Sequence, residues 1–576
     1  MTPPHDLRSF EEHLDAAFER RAVLSMSPAD VIDNAVGAIG YSYMKPEGRG
    51  TAHRLELGLH VALPRLIDAD KGAPFELEPA LKDLVFLSHY YLLRDYLYFS
   101  YNAPESLKWR FDDDGVHVNF GTSGIPRTFA QYSNSAILTS LTMGRDRPDR
   151  LGELTTLLKD KEEFGFDDYH AAAAEICLDE ADNKIRFDFE LLGHSASTIQ
   201  LDGYSYAEFL SVYRYIIAKA LYHRYYAIIN ETWPVFQFPR DSLRTEISQA
   251  TDQPPEVVAA ILSDLTYSRA HRRLQPMYFG LIDHPAAPHY VMSPQRIASS
   301  NGLVQLLRMQ ATRNPQFFLS NVSDALGRSF EEQVASSWRE AGFLVATNVQ
   351  LHRVDPSAPD IDVLVISREP TLAYVAFICE LKATLPAVWA KDHLRVLQPD
   401  SIAKAFDQIN RIRGVLESDG GQRLLWELTR RLDPEPLAEG LIPVSFLIVT
   451  TQNSGMLLED LQAATPCKVI DHSTLRAILS RCDGDVAYVL HMIRQLDEIF
   501  GAGADVTQQS FDLDGLAVTY DVVGQGRVVS FPENVWRSDG QDKAMAEQFY
   551  RDGGSPFDVL KDRLVEPGTA ESDESL

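Results

Sequence analysis

The stretch 359–382 constrains this chain most. It reads Pro-Asp-Ile-Asp-Val-Leu-Val-Ile, then a short polar break, then a second apolar run ending Ala-Phe-Ile-Cys-Glu-Leu-Lys. Two apolar runs of strand length either side of a break predict two neighbouring strands. The first opens on Asp362 and the second closes on Glu380 and Lys382. Residues i and i+2 of a strand project from one face, so Glu380 and Lys382 point together. If the two strands pair as a hairpin, two carboxylates and an ammonium converge at one spot. Charges that end an apolar run such as 375–379 are costly to bury unless they are paired or bound to metal. Hard oxygen ligands beside a cation are what metal-assisted attack on a phosphodiester requires.

The flanks extend the pattern. Upstream, in 327–343, Phe330, Val334 and Trp338 recur every four positions, the stripe of an amphipathic helix, and Gly342 follows its last turn. Downstream, 401–414 reads as a second helix, carrying Gln408, Arg411 and Arg413. The order is helix, strand with Asp362, strand with Glu380 and Lys382, then helix. It resembles the PD-(D/E)xK nucleases of the restriction-endonuclease-like superfamily, over about residues 320–500. The resemblance implies an α/β restriction-endonuclease-like domain, a mixed central sheet flanked by helices. It implies Asp362 as the central metal ligand, Glu380 as a second carboxylate and the Leu381 carbonyl as a further oxygen, around Mg²⁺ for which Mn²⁺ substitutes. Lys382 would orient the attacking water or stabilise developing charge. Glu331, just after the first aromatic residue of the upstream helix, would be an additional ligand or water holder, with Glu332 the second choice. Gln408 stands where many relatives carry a Gln or Lys facing the site. Some branches also carry a tyrosine four residues later, and this chain departs from them with Ile412. Asp360 shares the strand face of Asp362 but precedes the apolar run and follows Pro359, so it ranks second.

Length and charge bound the rest. At 576 residues the chain predicts two or three domains. The net charge of −28 opposes long-range attraction to nucleic acid, so any such contact must rest on local basic groups. Candidates are Arg269 with His271, Arg272 and Arg273; Arg308 and Arg313; Arg430 and Arg431; and Arg411 and Arg413, which share the Gln408 helix and could meet a phosphate. Cys177, Cys379, Cys467 and Cys482 are widely spaced and form neither a disulfide framework nor a zinc cluster. There is no apolar run of membrane length, signal peptide, P-loop or dinucleotide fingerprint, and the reading is a cytoplasmic, reduced protein without a membrane role.

Three parts are expected. Residues 1–315 form a large, mainly α N-terminal recognition or regulatory region with some β hairpins, in one or two subdomains. Residues 320–500 form the nuclease-like domain, and 501–576 a small β appendage with an acidic, disordered tail. Within the first part, 107–120 predicts a hairpin turning at Asp114-Gly115, and 176–192 a second strand pair turning at Asp182-Asn183. Helices are expected over 206–233 and 256–267, and a loop over 282–289. In the second, 421–432 and 457–463 predict helices, 442–450 and 467–470 strands, followed by helices through Phe500.

The function expected from the resemblance is Mg²⁺-dependent phosphodiester hydrolysis of DNA, with the N-terminal region sensing or recruiting protein partners. Defence against foreign DNA, antiviral defence included, or DNA repair follows by fold analogy alone. The alternatives are a non-catalytic nuclease-like binding or structural module in an assembly, and a nuclease acting on RNA. Concerted double-strand cuts would call for a homo-oligomer.

Overall fold

The computed structural model describes residues 4–534 apart from 46, 70–71, 123, 143–149, 163–166, 193–198, 370–372, 387–389, 395–400, 439, 452–464, 466, 525–528, 530 and 533. The helix expected over 457–463 and the acidic tail lie outside the described residues. The described residues form a mixed α/β fold with three sheets and many helices. Among the described residues, no helix is long and apolar enough to cross a membrane.

Four helices open the chain: α1 (Leu7–Glu19), α2 (Pro28–Tyr43), α3 (Arg49–Leu66) and α4 (Leu77–Asn102). The aromatic-rich stretch of α4 is core, since Leu84, Leu87, Leu93 and Leu97 are at most 1% exposed. The predicted hairpin forms as β1 (Leu107–Asp112) and β2 (Gly115–Phe120). Asp112 pairs with Gly115, so the turn is Asp113-Asp114, one residue earlier than expected. Asp112 Oδ1 accepts the N–H groups of Asp114 and Gly115, the usual reason for an acidic turn.

Helices α5 (Gly124–Thr142) and α6 (Arg150–Leu158) follow. The strand pair expected over 176–192 is instead the second half of a helix, α7 (Asp168–Leu192). Four alanines at 171–174 favour helix at its start. The buried Ala173, Ile176, Cys177, Ala181, Asp188 and Leu192 then keep helical spacing. Asp182, read as a turn residue, stands on the exposed side and pairs with Arg214 of α8 (Tyr206–Asn230) at 2.6 Å. Helix α8 begins with the capping box Ser205-Tyr-Ala-Glu208.

A small sheet comes next, built from β3 (Phe236–Pro239), β4 (Thr266–Tyr267), β5 (Leu281–Asp283) and β6 (His289–Met292) in the order β3-β6-β5-β4. Helices α9 (Arg240–Thr251) and α10 (Pro255–Leu265) lie between β3 and β4. The loop expected over 282–289 is narrower than predicted, because Ile282 and Asp283 pair with Val291 and Tyr290 across a hairpin. Then α11 (Pro294–Ser299), α12 (Gly302–Arg313), the single turn α13 (Pro315–Phe317) and a π-helical stretch, Phe318–Ser323, run directly into α14 (Asp324–Glu340).

After α14 come β7 (Leu344–Val349), β8 (Ile361–Glu369) and β9 (Ala373–Lys382). Helices α15 (Ala390–Leu394), α16 (Ile402–Leu416) and α17 (Asp419–Leu432) precede β10 (Val444–Thr450). Strand β11 (Cys467–Asp471) and helices α18 (His472–Cys482) and α19 (Val486–Gly503) complete this unit. The sheet order is β11-β10-β9-β8-β7, with β7, β8 and β9 antiparallel and β9, β10 and β11 parallel. Central β9 is buried from Ala373 through Glu380, as a strand covered on both faces must be. One face packs Val363, Val365, Phe377 and Cys379 against Phe330, Val334 and Trp338 of α14 and against α18 and α19. The other packs Leu364, Ile366 and Ile378 against Ile402, Phe406 and Ile409 of α16 and Leu425 of α17.

The N-terminal residues do not stand apart from this unit. Helix α5 packs on α18 and α19, and its Leu138 enters their core. Gln131 and Ser135 of α5 donate to Asp471, and Thr139 meets Ser473 at 2.8 Å. The last hairpin, β12 (Val506–Leu513) and β13 (Leu516–Val523), sets β13 parallel to β2 and completes a sheet ordered β1-β2-β13-β12. The sequence reading set these strands aside as an appendage; their place is in the sheet begun by β1 and β2.

Two outcomes follow from this packing. Trp338 is fully buried, with ring centroids 5.2 Å from Phe343 and 5.0 Å from Phe377. Trp338→Ala should cost about 3–5 kcal/mol, read as a lower denaturation midpoint. All the cysteines are buried and unpaired, and burial pushes the Cys177 and Cys467 thiols up to about 12. A disulfide thiol reagent should label none of them in the native protein and all of them after unfolding.

Candidate active site

The site forms where the β8–β9 ladder ends. Val363 pairs with Cys379, so the next position outward sets Asp362 beside Glu380. Asp362 Oδ2 accepts the Leu381 N–H at 2.7 Å, which ties the aspartate side chain to the neighbouring strand. Alternation along the strands places Asp362, Glu380 and Lys382 on the face covered by α16. Glu380 is 1% exposed, and its Oε1 accepts from Lys382 Nζ at 2.7 Å. The same Nζ donates to Gln408 Oε1 of α16 at 3.0 Å. Glu380 Oε2 is buried with no hydrogen-bond partner among the described residues. Leaving such an oxygen unsatisfied costs about 1–3 kcal/mol, more when it is charged.

Electrostatics follow from this crowding. Burial, then the Asp362 carboxylate, push Glu380 up to about 7 against the pull of Lys382 and Lys404. Burial raises Asp362 as well, opposed by the Leu381 N–H and by Lys382. Burial is the larger cause for both carboxyls, and for Glu380 like charge from Asp362 adds to it.

The remaining candidates separate cleanly. Glu331 of α14 is half-buried and accepts from Asn348 Nδ2 at 2.5 Å. Burial raises it, Asn348 lowers it and Asp362 raises it again, so it feels the charge of Asp362 while its hydrogen bond goes to Asn348. Asn348 reaches it from the end of β7 with φ of 51°, a left-handed conformation that asparagine tolerates. Glu332 is exposed and turns to Arg339 at 2.7 Å. Asp360 is exposed and precedes β8. Ile412 is fully buried in the core, so the departure from the tyrosine-bearing branches lies away from the reacting groups. Arg411 is exposed one turn after Gln408, whereas Arg413 pairs with Glu417 at 2.8 Å.

Sequence reading missed three contributors. Lys404 is exposed four residues before Gln408, so Lys404, Gln408 and Arg411 share one helical stripe, a spacing that was available in the sequence. Asn348 carried no local signal. Nor did Thr451, whose Oγ accepts the Thr384 N–H at 3.0 Å and donates to the Thr384 carbonyl, pinning the end of β9 to the end of β10.

Among the described residues, no group of three or more His, Cys, Asp or Glu side chains is disposed to hold a metal ion. The donors in place are therefore the Asp362–Glu380 pair and nearby backbone oxygen. That set suits Mg²⁺, which takes one or two carboxylates and keeps several waters, and it does not suit an all-protein cage. The buried, unpartnered Oε2 of Glu380 is the atom that such an ion would satisfy. Comparison with protein-family models, curated proteins and solved structures returns no match to this chain.

Lys382 is the only one of these groups whose charge offsets Glu380 through a direct bond. Replacing it as Lys382→Met removes that attraction, so the Glu380 carboxyl should protonate at higher pH than in the wild type. Titration of its carboxylic-acid stretch by infrared difference spectroscopy, assigned with Glu380→Gln, measures the shift.

Proposed function

We propose that residues 320–500 are a restriction-endonuclease-like domain that hydrolyses DNA phosphodiester bonds with Mg²⁺, or Mn²⁺ in its place. The observation that carries this reading is the pairing of Asp362 and Glu380 at the end of a mixed sheet, with Lys382 bridging Glu380 and Gln408. Asp362, Glu380 and the Leu381 carbonyl would hold the ion, and Glu331 would steady a water near it. A bound Mg²⁺ supplies Lewis-acid polarisation of the phosphate and a lowered pKa for its water.

The protein groups have separable roles. An ammonium has three donors, and Lys382 spends two on Glu380 and Gln408. Its third N–H would orient the attacking water or meet charge developing on phosphate. Gln408 spends only its oxygen on Lys382, so its amide N–H groups would position a phosphate oxygen. Lys404 and Arg411, exposed on the same stripe, would contact flanking phosphates. Arg413 is the weaker candidate, being committed to Glu417. The N-terminal region would recruit or sense, through protein partners or a second copy of the chain. Defence against foreign DNA and DNA repair are the roles that fold analogy offers.

Cleavage of supercoiled plasmid tests the proposal. Wild type should nick or linearise DNA with Mg²⁺ or Mn²⁺ and not with EDTA. Asp362→Ala and Lys382→Ala should each lose activity by on the order of 10²–10³-fold or more. Cleavage of RNA alone would redirect the substrate assignment. Equal inertness of all three proteins on both nucleic acids would favour a non-catalytic nuclease-like module.

A further inference from the structure

The connection from β9 to α16 joins Lys382 to Gln408, and N-terminal residues hold it at several points. Leu385 packs into the apolar cluster built by α8, α10 and α12. Arg308 of α12 donates through Nη2 to the Pro386 carbonyl and pairs with Asp392 of α15 at 3.0 Å. These two side chains are only 13% and 7% exposed. Asp95 of α4 accepts the N–H of Ala390. His393 is buried beside Phe99 of α4 and Phe129 of α5, with ring centroids 6.4 Å and 5.9 Å away. At its near end the connection is fixed by the Thr384–Thr451 bonds.

We propose that Arg308 is a positioning residue of the active site. Its contacts with Pro386 and Asp392 fix the β9–α16 connection against the N-terminal helices, and so fix Gln408 relative to Lys382. The functional half of this inference rests on the nuclease reading; the structural half does not.

Three features give the assignment its force. One guanidinium nitrogen, Nη2, meets two points of the connection six residues apart, the Pro386 carbonyl and the Asp392 carboxylate. A charge pair this buried is costly to break from one side, so α15 is held to α12. After a break at Asn314, α12 is followed by α13 and the π-helical stretch, which runs into α14, the bearer of Glu331. The segment that holds the Gln408 side of the site therefore leads along the chain to the segment that carries its glutamate side.

The test uses the full chain and compares wild type, Arg308→Lys, Arg308→Ala and Asp392→Asn. Two readouts are taken: amide hydrogen exchange over 384–416, and kcat and KM for plasmid cleavage. Arg308→Ala should exchange at least about tenfold faster over 384–394 and the first turn of α16. Its kcat should fall by up to about a hundredfold, the usual scale for a catalytic group displaced by about 1 Å, with little change in KM. Arg308→Lys, which keeps the charge, should recover part of kcat. Should Arg308→Ala fail to fold, Asp392→Asn carries the same two readouts. Unchanged exchange in a folded variant overturns the structural half, and faster exchange with unchanged kcat overturns the positioning role. If the wild type cleaves nothing while exchange still rises in the variants, the nuclease reading has failed and the brace alone remains.

Discussion

The bond between Glu380 and Lys382 is the constraint on which the rest of this structure turns. It lies at the end of the central strand, where exposure has fallen to 1% for the carboxylate. An isolated carboxylate in such a place is strongly disfavoured, and Asp362 beside it adds like charge. Lys382 offsets one of these two negative charges, which leaves the cluster one positive charge short. Burial raises both carboxyls, and for Glu380 the neighbouring Asp362 adds to it, against the opposing pull of Lys382. Apolar side chains of similar volume in place of a buried charged cluster often cost a fold little.

Keeping such a cluster requires a frame that holds its members in place, and the frame is built from distant parts of the chain. Helix α14 covers one face of the sheet and α16 the other, so that Gln408 can cap Lys382. Helix α5 closes the far flank through the polar contacts of Gln131, Ser135 and Thr139 with the end of β11 and the start of α18. Strand β13 then returns from beyond α19 to pair with β2, whose edge would otherwise stay open. The unit that bears the site is thus enclosed by the region that precedes it and tied to the strands that follow it.

This arrangement explains what the sequence disclosed. Periodic and short-range features were legible: the Phe330, Val334 and Trp338 stripe became the buried face of α14, and the loss of alternation in 373–380 became a strand covered on both sides. The Asp362, Glu380 and Lys382 constellation was legible because strand geometry alone makes residues i and i+2 converge. Long-range pairing was not, and no local signal near β2 announces β13 some four hundred residues later. Helix α7 was misread because Asp182-Asn183 imitates a turn, whereas the alanine run and the spacing of the buried residues decide for helix. Glu331 was preferred to Glu332 on the resemblance alone; the neighbours that distinguish them in the fold, Asn348 and Arg339, are not adjacent in sequence. The tie between Arg308 and Asp392 was out of reach for the same reason.

The acidity of the chain acquires a physical meaning once its arginines are placed. Arg313 is bound to Asp264, Arg272 to Asp68, Arg308 to Asp392 and Arg413 to Glu417, so several basic clusters visible in the sequence are committed to internal partners. Lys404 and Arg411 stay exposed beside Gln408. With a net charge of −28, the surface as a whole opposes a polyanion, while Lys404 and Arg411 place positive charge beside Gln408 and Arg430 and Arg431 stay exposed on α17. A nuclease so arranged, as proposed for this chain, would gain little from general adhesion to nucleic acid. Its catalytic power would have to come from geometry at the site, which is why the segments that brace Lys382 against Gln408 matter more here than the total of basic residues.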